Sequence, residues 1–139
     1  MSEQQKQRVI LIVEDEAEIL EVIAASLKRR QYNVTTAATF GDAQRALAEA
    51  GGPVDVILTD VRLPDGDGLD LVRQICGQEA PRPRMIVMTG HLDRQSVDGA
   101  LTSGAEAVLL KPFKLNTLID RIANPAENGQ SPTLTAPGT

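Results

Sequence analysis

The sequence predicts an α/β protein, a single domain in which five strand–helix units form a doubly wound, five-stranded parallel sheet. The first observation is that short apolar runs alternate with segments whose apolar residues recur at helical spacing. The second is length: 139 residues suffice for one well-buried domain and are too few for two ordinary ones. Strands separated by helices favour a parallel sheet, because short parallel crossovers are helical and right-handed.

Five runs are predicted to be the strands. The first is apolar throughout, which is typical of a strand covered on both faces. The second is more polar and is predicted nearer a sheet edge. In chain order the runs are Val9–Val13, Asn33–Ala37, Val56–Asp60, Met85–Met88 and Ala107–Leu110.

Each strand is followed by apolar residues three or four positions apart, the pattern of an amphipathic helix. Thr39 is predicted to cap the second helix and Gly51-Gly52 to end it. Helix by helix, the apolar faces fall within residues 19–27, 43–50, 71–75, 97–101 and 115–122.

The chain ends are predicted to lie outside the domain, which spans residues 8–123. Residues 1–7 form a polar leader that begins with Met1, so any missing output domain is expected at the C-terminal side. Residues 124–139 are rich in Pro, Gly, Ser and Thr, which predicts a disordered tail or a linker.

Composition excludes several classes of protein. The net charge of −5 and the lack of a Lys/Arg cluster argue against nucleic-acid binding. The single cysteine, Cys76, allows no internal disulfide. Neither a signal peptide nor a run of about 20 apolar residues is present. A cytoplasmic protein is expected.

Polar residues follow or end four of the predicted strands. The carboxyl ends of parallel strands meet at one edge of the sheet, where ligands bind in such folds. Each residue alone has an ordinary explanation in helix ends and turns, but together they indicate a site. Clustered carboxylates repel one another without a cation, and oxygen ligands favour Mg²⁺. The residues are Glu14-Asp15, Asp60, Thr89-Gly90 and Lys111-Pro112.

These residues resemble the receiver (CheY-like) domain of two-component response regulators. The resemblance covers about residues 8–123. It implies a flavodoxin-like, CheY-like fold and a phosphoacceptor function in a two-component phosphorelay. The matching motifs are Glu14-Asp15, Asp60 before L-P-D-G-D-G, Thr89-Gly90 and Lys111-Pro112-Phe113.

The resemblance also implies a role for each acidic residue. Asp60 is implied to be the phosphoacceptor, a carboxylate nucleophile that attacks phosphorus in line and becomes an aspartyl phosphate. Asp15, Asp60 and the backbone carbonyl of Arg62 are implied to hold Mg²⁺ or Mn²⁺. Glu14 would act largely through water.

The other motif residues are implied to bind the phosphoryl group or to shape loops. Lys111 would pair with a phosphoryl oxygen, and a cis peptide bond is expected between Lys111 and Pro112. Thr89 would donate its hydroxyl to the new phosphoryl group. The switch and loop positions are Pro64, Gly68, Gly90, Val108 and Pro112.

One position departs from the family pattern. Most relatives carry Tyr or Phe three residues before the lysine, where this chain has Val108. A ring-flip readout is therefore in doubt, and the hypothesis is that output travels through the Thr89 loop and the fourth helix.

The implied partners are a sensor histidine kinase or a histidine phosphotransfer protein, and a downstream protein. Neither direct nucleic-acid binding nor membrane binding is expected, and the chain is expected to be a monomer or a phosphorylation-dependent dimer. It is expected to be a switch that assists its own phosphorylation and dephosphorylation, and not an enzyme.

The sequence leaves two alternatives open and disfavours a third. One is a degenerate receiver that acts as a scaffold, and another is a receiver fragment of a larger response regulator or hybrid kinase. The third, a phosphohydrolase, is disfavoured because Arg62 stands where such enzymes place a second aspartate.

Overall fold

The computed structural model describes residues 8–79, 81–90, 94–124 and 133–135. The strands within these ranges are β1 (Val9–Val13), β2 (Asn33–Ala37), β3 (Val56–Asp60), β4 (Arg62–Leu63), β5 (Gly66–Asp67), β6 (Arg84–Thr89), β7 (Ala107–Leu110) and β8 (Thr133–Thr135). The helices are α1 (Ala17–Arg29), α2 (Phe40–Glu49), α3 (Gly68–Cys76), α4 (Arg94–Ser103) and α5 (Leu115–Ala123).

The main sheet is parallel throughout, with strand order β2-β1-β3-β6-β7-β8 in the described part of the chain. All five predicted strands are confirmed, and the fourth is longer than predicted by one residue at each end. The neighbours β1 and β3 align Val13 with Thr59, so the residues that follow them lie at the same edge.

The core forms two layers because successive side chains of a strand point to opposite faces. Leu11 and Ile57 face the layer covered by α2, α3 and α4. Ile12 and Leu58 face the layer covered by α1 and α5. All four are essentially inaccessible to solvent, which explains why these strands are apolar throughout.

Two helices, α2 and α3, begin with a side-chain cap, and the first of these caps was predicted. The Thr39 hydroxyl accepts a hydrogen bond from the amide of Asp42 at 2.9 Å, so the predicted cap of α2 is confirmed. Asp67 caps α3 in the same way through the amide of Leu69, at 2.8 Å. None of the described helices is long and apolar enough to cross a membrane.

Two strand pairings were not predicted. Strands β4 and β5 form an antiparallel hairpin directly after β3, joined by the turn Pro64-Asp65. Strand β8 pairs parallel with β7, so three residues of the segment predicted to be a disordered tail or a linker are in a strand. The composition of a 16-residue segment does not reveal a strand of three residues, because so short a strand forms only through its pairing with β7. The rest of the tail (residues 125–132 and 136–139) and the leader (residues 1–7) lie outside the described residues.

Candidate functional site

Three carboxylates meet where β1 and β3 end. One oxygen from each of Glu14, Asp15 and Asp60 lies within 4.8 Å of the others. Glu14 is completely buried and Asp60 is nearly so, whereas Asp15 is exposed. The cluster is therefore open to solvent on the Asp15 side. Hard oxygen ligands grouped in this way fit a divalent cation such as Mg²⁺ that keeps several waters.

The ammonium of Lys111 connects two of these carboxylates. Its Nζ lies 2.7 Å from Oε1 of Glu14 and 2.8 Å from Oδ2 of Asp60. Burial alone would lower the pKa of Lys111, but the hydrogen bonds to Asp60 and Glu14 outweigh it and the pKa is raised. Lys111 therefore remains charged beside Asp60, the nucleophile that the family resemblance implies. A third carboxylate oxygen, Oε1 of Glu16, is 3.8 Å from Nζ.

Glu14 is the most deeply buried of the three carboxylates. Burial raises its pKa, and the nearby charge of Asp60 adds to that effect. The hydrogen bond from Lys111 and one from the amide of Glu16, at 3.0 Å, act in the opposite direction. The buried charge is thus held by one ammonium and one backbone donor, and a further cation would stabilise it.

The ends of β6 and β7 place the remaining motif residues at the same edge. Thr89 is the last residue of β6 and is buried, and its carbonyl accepts a hydrogen bond from the amide of Lys111 at 2.8 Å. Asp60 aligns with Met88, so Thr89 lies one residue beyond the level of Asp60 along the neighbouring strand. Gly90 is exposed, and a Cβ atom there would meet nothing within 4 Å.

The loop after Asp60 returns very close to the strand. The amide of Gly68 donates to the carbonyl of Val61 at 2.6 Å. A Cβ atom at Gly68 would lie 1.9 Å from the carbonyl oxygen of Asp60, so only glycine fits. Arg62 lies in β4, within this hairpin, and Pro64 is exposed in its turn.

Asp65, which the sequence places in the L-P-D-G-D-G motif without a role of its own, links this hairpin to α2. Its carboxylate accepts hydrogen bonds from the amides of Phe40 (2.7 Å) and Gly41 (2.9 Å) at the start of the helix. The bond from Gly41, followed by that from Phe40, lowers the pKa of Asp65. In the sequence, an aspartate next to a proline indicates only a turn. The helix amides that Asp65 binds are 24 and 25 residues away, so no local pattern could identify them.

The peptide bond after Lys111 and the core position of Val108 complete the description of this edge. The expected cis peptide bond between Lys111 and Pro112 is confirmed. Val108 is completely buried in the layer covered by α2, α3 and α4. Its side chain therefore fills the core at this position.

Comparisons with known proteins agree with this architecture. The family model of the response regulator receiver domain matches residues 10–123. The response regulator protein PilR of Pseudomonas aeruginosa is 37% identical over 113 residues, which are 81% of this chain and 25% of PilR. This chain thus spans a quarter of the length of that relative.

Solved structures give the same result. A CheY-like receiver domain protein from Methanospirillum hungatei superposes with a TM-score of 0.78 at 27% identity, covering 85% of this chain and 92% of that one. A Burkholderia pseudomallei response regulator, described with a phosphorylated aspartic acid, a calcium ion and citrate, superposes with a TM-score of 0.72 at 26% identity. That superposition covers 81% of this chain and 65% of the other. The fold, the sequence match and the edge at which the carboxylates meet lead to one conclusion: the chain belongs to the response regulator receiver domain family.

Proposed function

We propose that this chain is a phosphoacceptor switch in a two-component phosphorelay, in which Asp60 receives the phosphoryl group of a phosphohistidine. The observation that carries the proposal is the contact of Lys111 with both Glu14 and Asp60, beside a carboxylate cluster that is open at Asp15. A cation-binding edge and a fixed ammonium supply the charge that phosphoryl transfer requires.

The chemistry assigned to Asp60 is an in-line displacement. One carboxylate oxygen forms a bond to phosphorus while the phosphorus–nitrogen bond of the donor histidine breaks, and the electron pair returns to the imidazole nitrogen. Because Asp60 ends a strand that is buried along its whole length, its carboxylate is held in one direction. The product is an aspartyl phosphate.

The surrounding side chains are assigned complementary tasks. Asp15, Asp60 and the backbone carbonyl of Arg62 would hold Mg²⁺ or Mn²⁺, with Glu14 acting through water, and the bound ion would supply positive charge for the phosphoryl oxygens. Lys111 exchanges its hydrogen bond with Asp60 for one with a phosphoryl oxygen. Thr89, buried at the end of β6, donates its hydroxyl to the new group.

A groove beside the site suits a protein donor. It has a volume of about 580 Å³, and Lys111 and Pro112 line it together with apolar side chains of α1 and α5. Val22 is 58% exposed and is the most exposed large apolar side chain in the described part of the chain. We assign this groove to an apolar helix face of the histidine kinase or phosphotransfer protein. The cytoplasm is the expected location of such an exchange.

A second candidate function follows from length. PilR is about four times as long as the matched part of this chain, so this receiver also fits a role as one domain of a larger response regulator or hybrid kinase. In that case phosphorylation would act on an attached output domain. On its own, the domain would act through a downstream protein, either as a monomer or as a phosphorylation-dependent dimer.

The test is intact-protein mass spectrometry after incubation with acetyl phosphate and Mg²⁺. The wild type should gain one phosphoryl group, and Asp60→Ala or added EDTA should abolish the gain. Asp120→Ala, which removes an exposed carboxylate on α5, is the matched control and should be phosphorylated like the wild type. If neither acetyl phosphate nor a phosphorylated donor protein modifies the wild type, the proposal is wrong and the scaffold alternative is favoured.

A further inference from the structure

The outer edge of β7 is the second feature of the structure that points to a partner. The strand is entirely apolar, and without β8 it would end the sheet with unpaired backbone groups. Such an edge readily accepts another strand. The opposite edge, β2, differs because Asn33, Thr35 and Thr36 are polar and exposed there. Thr133–Thr135 occupies the β7 edge, with Ala107 aligned to Thr133 and Leu109 to Thr135.

The connection from β7 to β8 has the opposite hand to the other connections in the sheet. From β3 to β6 and from β6 to β7 the chain moves across the sheet in one direction, through α3 and α4 on one face. From β7 to β8 it moves in the same direction, but α5 lies on the other face. The same direction with the helix on the opposite face reverses the hand of the crossover.

This reversed hand is unfavourable within one chain. The connection β2–α2–β3 runs in the same direction and on the same face as the two through α3 and α4, so it has the same hand. The connection β1–α1–β2 runs in the opposite direction on the opposite face, and these two reversals also give the same hand. Parallel crossovers are right-handed in about 98% of cases, so the connection through α5 has the rare hand. A strand supplied by another molecule is free of this constraint, since no single helix links it to β7.

We propose that the outer edge of β7 binds the segment Thr133–Thr135 of a second copy of this chain, so that two copies exchange their C-terminal segments. The parallel pairing with β7 is retained, and only the molecule that donates the strand changes. Eight residues separate Asn124 from Thr133, and they can span up to about 30 Å when extended, which is enough to reach a neighbouring domain. Exchange of an identical element between protomers is a low-cost route to a dimer. The inference does not depend on phosphorylation.

The exchange can be tested on the full chain by its concentration dependence. The amide of Lys111 faces β6, and backbone amides alternate along a strand, so the amides of Val108 and Leu110 face the outer edge. In an exchanged dimer, the hydrogen exchange of these two amides should slow by about tenfold or more as concentration rises through the dimerisation range. Light scattering should show a dimer over the same range.

Two variants separate exchange from other modes of association. Substituting proline at residues 133, 134 and 135 removes every amide of β8 and should abolish both the dimer and the protection of β7. The control Thr133→Val with Thr135→Val keeps these amides and favours a strand, so the dimer should persist. A dimer that survives the proline substitutions would overturn the proposal. So would a chain that stays monomeric at all concentrations, whether its β7 amides are protected or not.

Discussion

Replacing Gly68 with alanine should destabilise the protein and impair the site together. Gly68 begins α3 and lies against the end of β3. The added Cβ would lie 1.9 Å from the carbonyl oxygen of Asp60 and 3.1 Å from the hydroxyl of Thr59. The nearest atom belongs to the backbone of a buried strand, so it cannot rotate away as a flexible side chain would. Either β3 or the first turn of α3 must move.

The size of the effect follows from this geometry. An ordinary carbon contact begins at 3.4 Å, so a gap of 1.9 Å must open by about 1.5 Å. Overpacking of this kind costs about 1–3 kcal/mol or more, and the helix propensity gained by alanine, at most about 1 kcal/mol, offsets only part of it. We expect a net loss near 2 kcal/mol, which lowers Tm by about 8 °C for a domain of this size. A shift of about 1 Å at Asp60 can slow phosphorylation by about 10²-fold.

Gly99→Ala is the matched control for Gly68→Ala. It also replaces a helical glycine with alanine, but its Cβ would meet only Cδ1 of Leu69, at an ordinary 3.6 Å. Thermal unfolding should show an unchanged or raised Tm for Gly99→Ala, and acetyl phosphate should modify it at the wild-type rate. If Gly68→Ala unfolds at the wild-type temperature and is phosphorylated normally, the argument from close approach is refuted.

Three further predictions concern charge. Because the amide of Gly41 chiefly lowers the pKa of Asp65, the stability that Asp65 contributes is present above its ordinary pKa of 3.8 and is lost as pH falls through the folded-state value. Urea midpoints of Asp65→Asn should therefore fall less steeply below pH 4, and an acid limb identical to that of the wild type would contradict this. Glu106→Ala removes the bidentate partner of Arg84 at 2.6 and 2.7 Å, and the free energy of unfolding should fall by about 2 kcal/mol in urea denaturation, whereas no loss would show that the pair contributes nothing. Mg²⁺ should raise the Tm of the wild type more than that of Asp15→Asn, and equal shifts would argue against Asp15 as a ligand.

The sequence by itself was enough to predict the domain and the edge where its motif residues lie. Apolar runs predicted four of the strands, because a parallel sheet covered on both faces leaves a strong local pattern. The more polar second run was placed by its position in the alternation of strands and helices, at an edge of the sheet. The position of Asp60 at the end of β3 followed from the same pattern. Parallel strands end at one edge, so residues far apart in the chain could be grouped without any knowledge of their contacts.

Contacts between distant residues were decided only by the tertiary structure. Lys111 lies between Glu14 and Asp60, which are 97 and 51 residues away in the chain. Asp65 caps a helix that begins 25 residues before it. No local sequence pattern identifies such partners. The residues next to an aspartate in a turn are the same whether its carboxylate oxygens contact water or the amides of a helix.

The C-terminal segment shows the same limit. Composition predicted a disordered tail or linker for residues 124–139, whereas Thr133–Thr135 pairs with β7 in the structure. A three-residue strand has too little apolar periodicity to be recognised, and its existence depends on the open edge it meets. The sequence alone therefore determined five strands of the main sheet and the edge at which their motif residues lie, because hydrophobic periodicity is local. Packing between distant segments decided the rest, because those segments meet only in the folded chain. It set the contacts of Lys111 with Glu14 and Asp60 and the pairing of Thr133–Thr135 with β7.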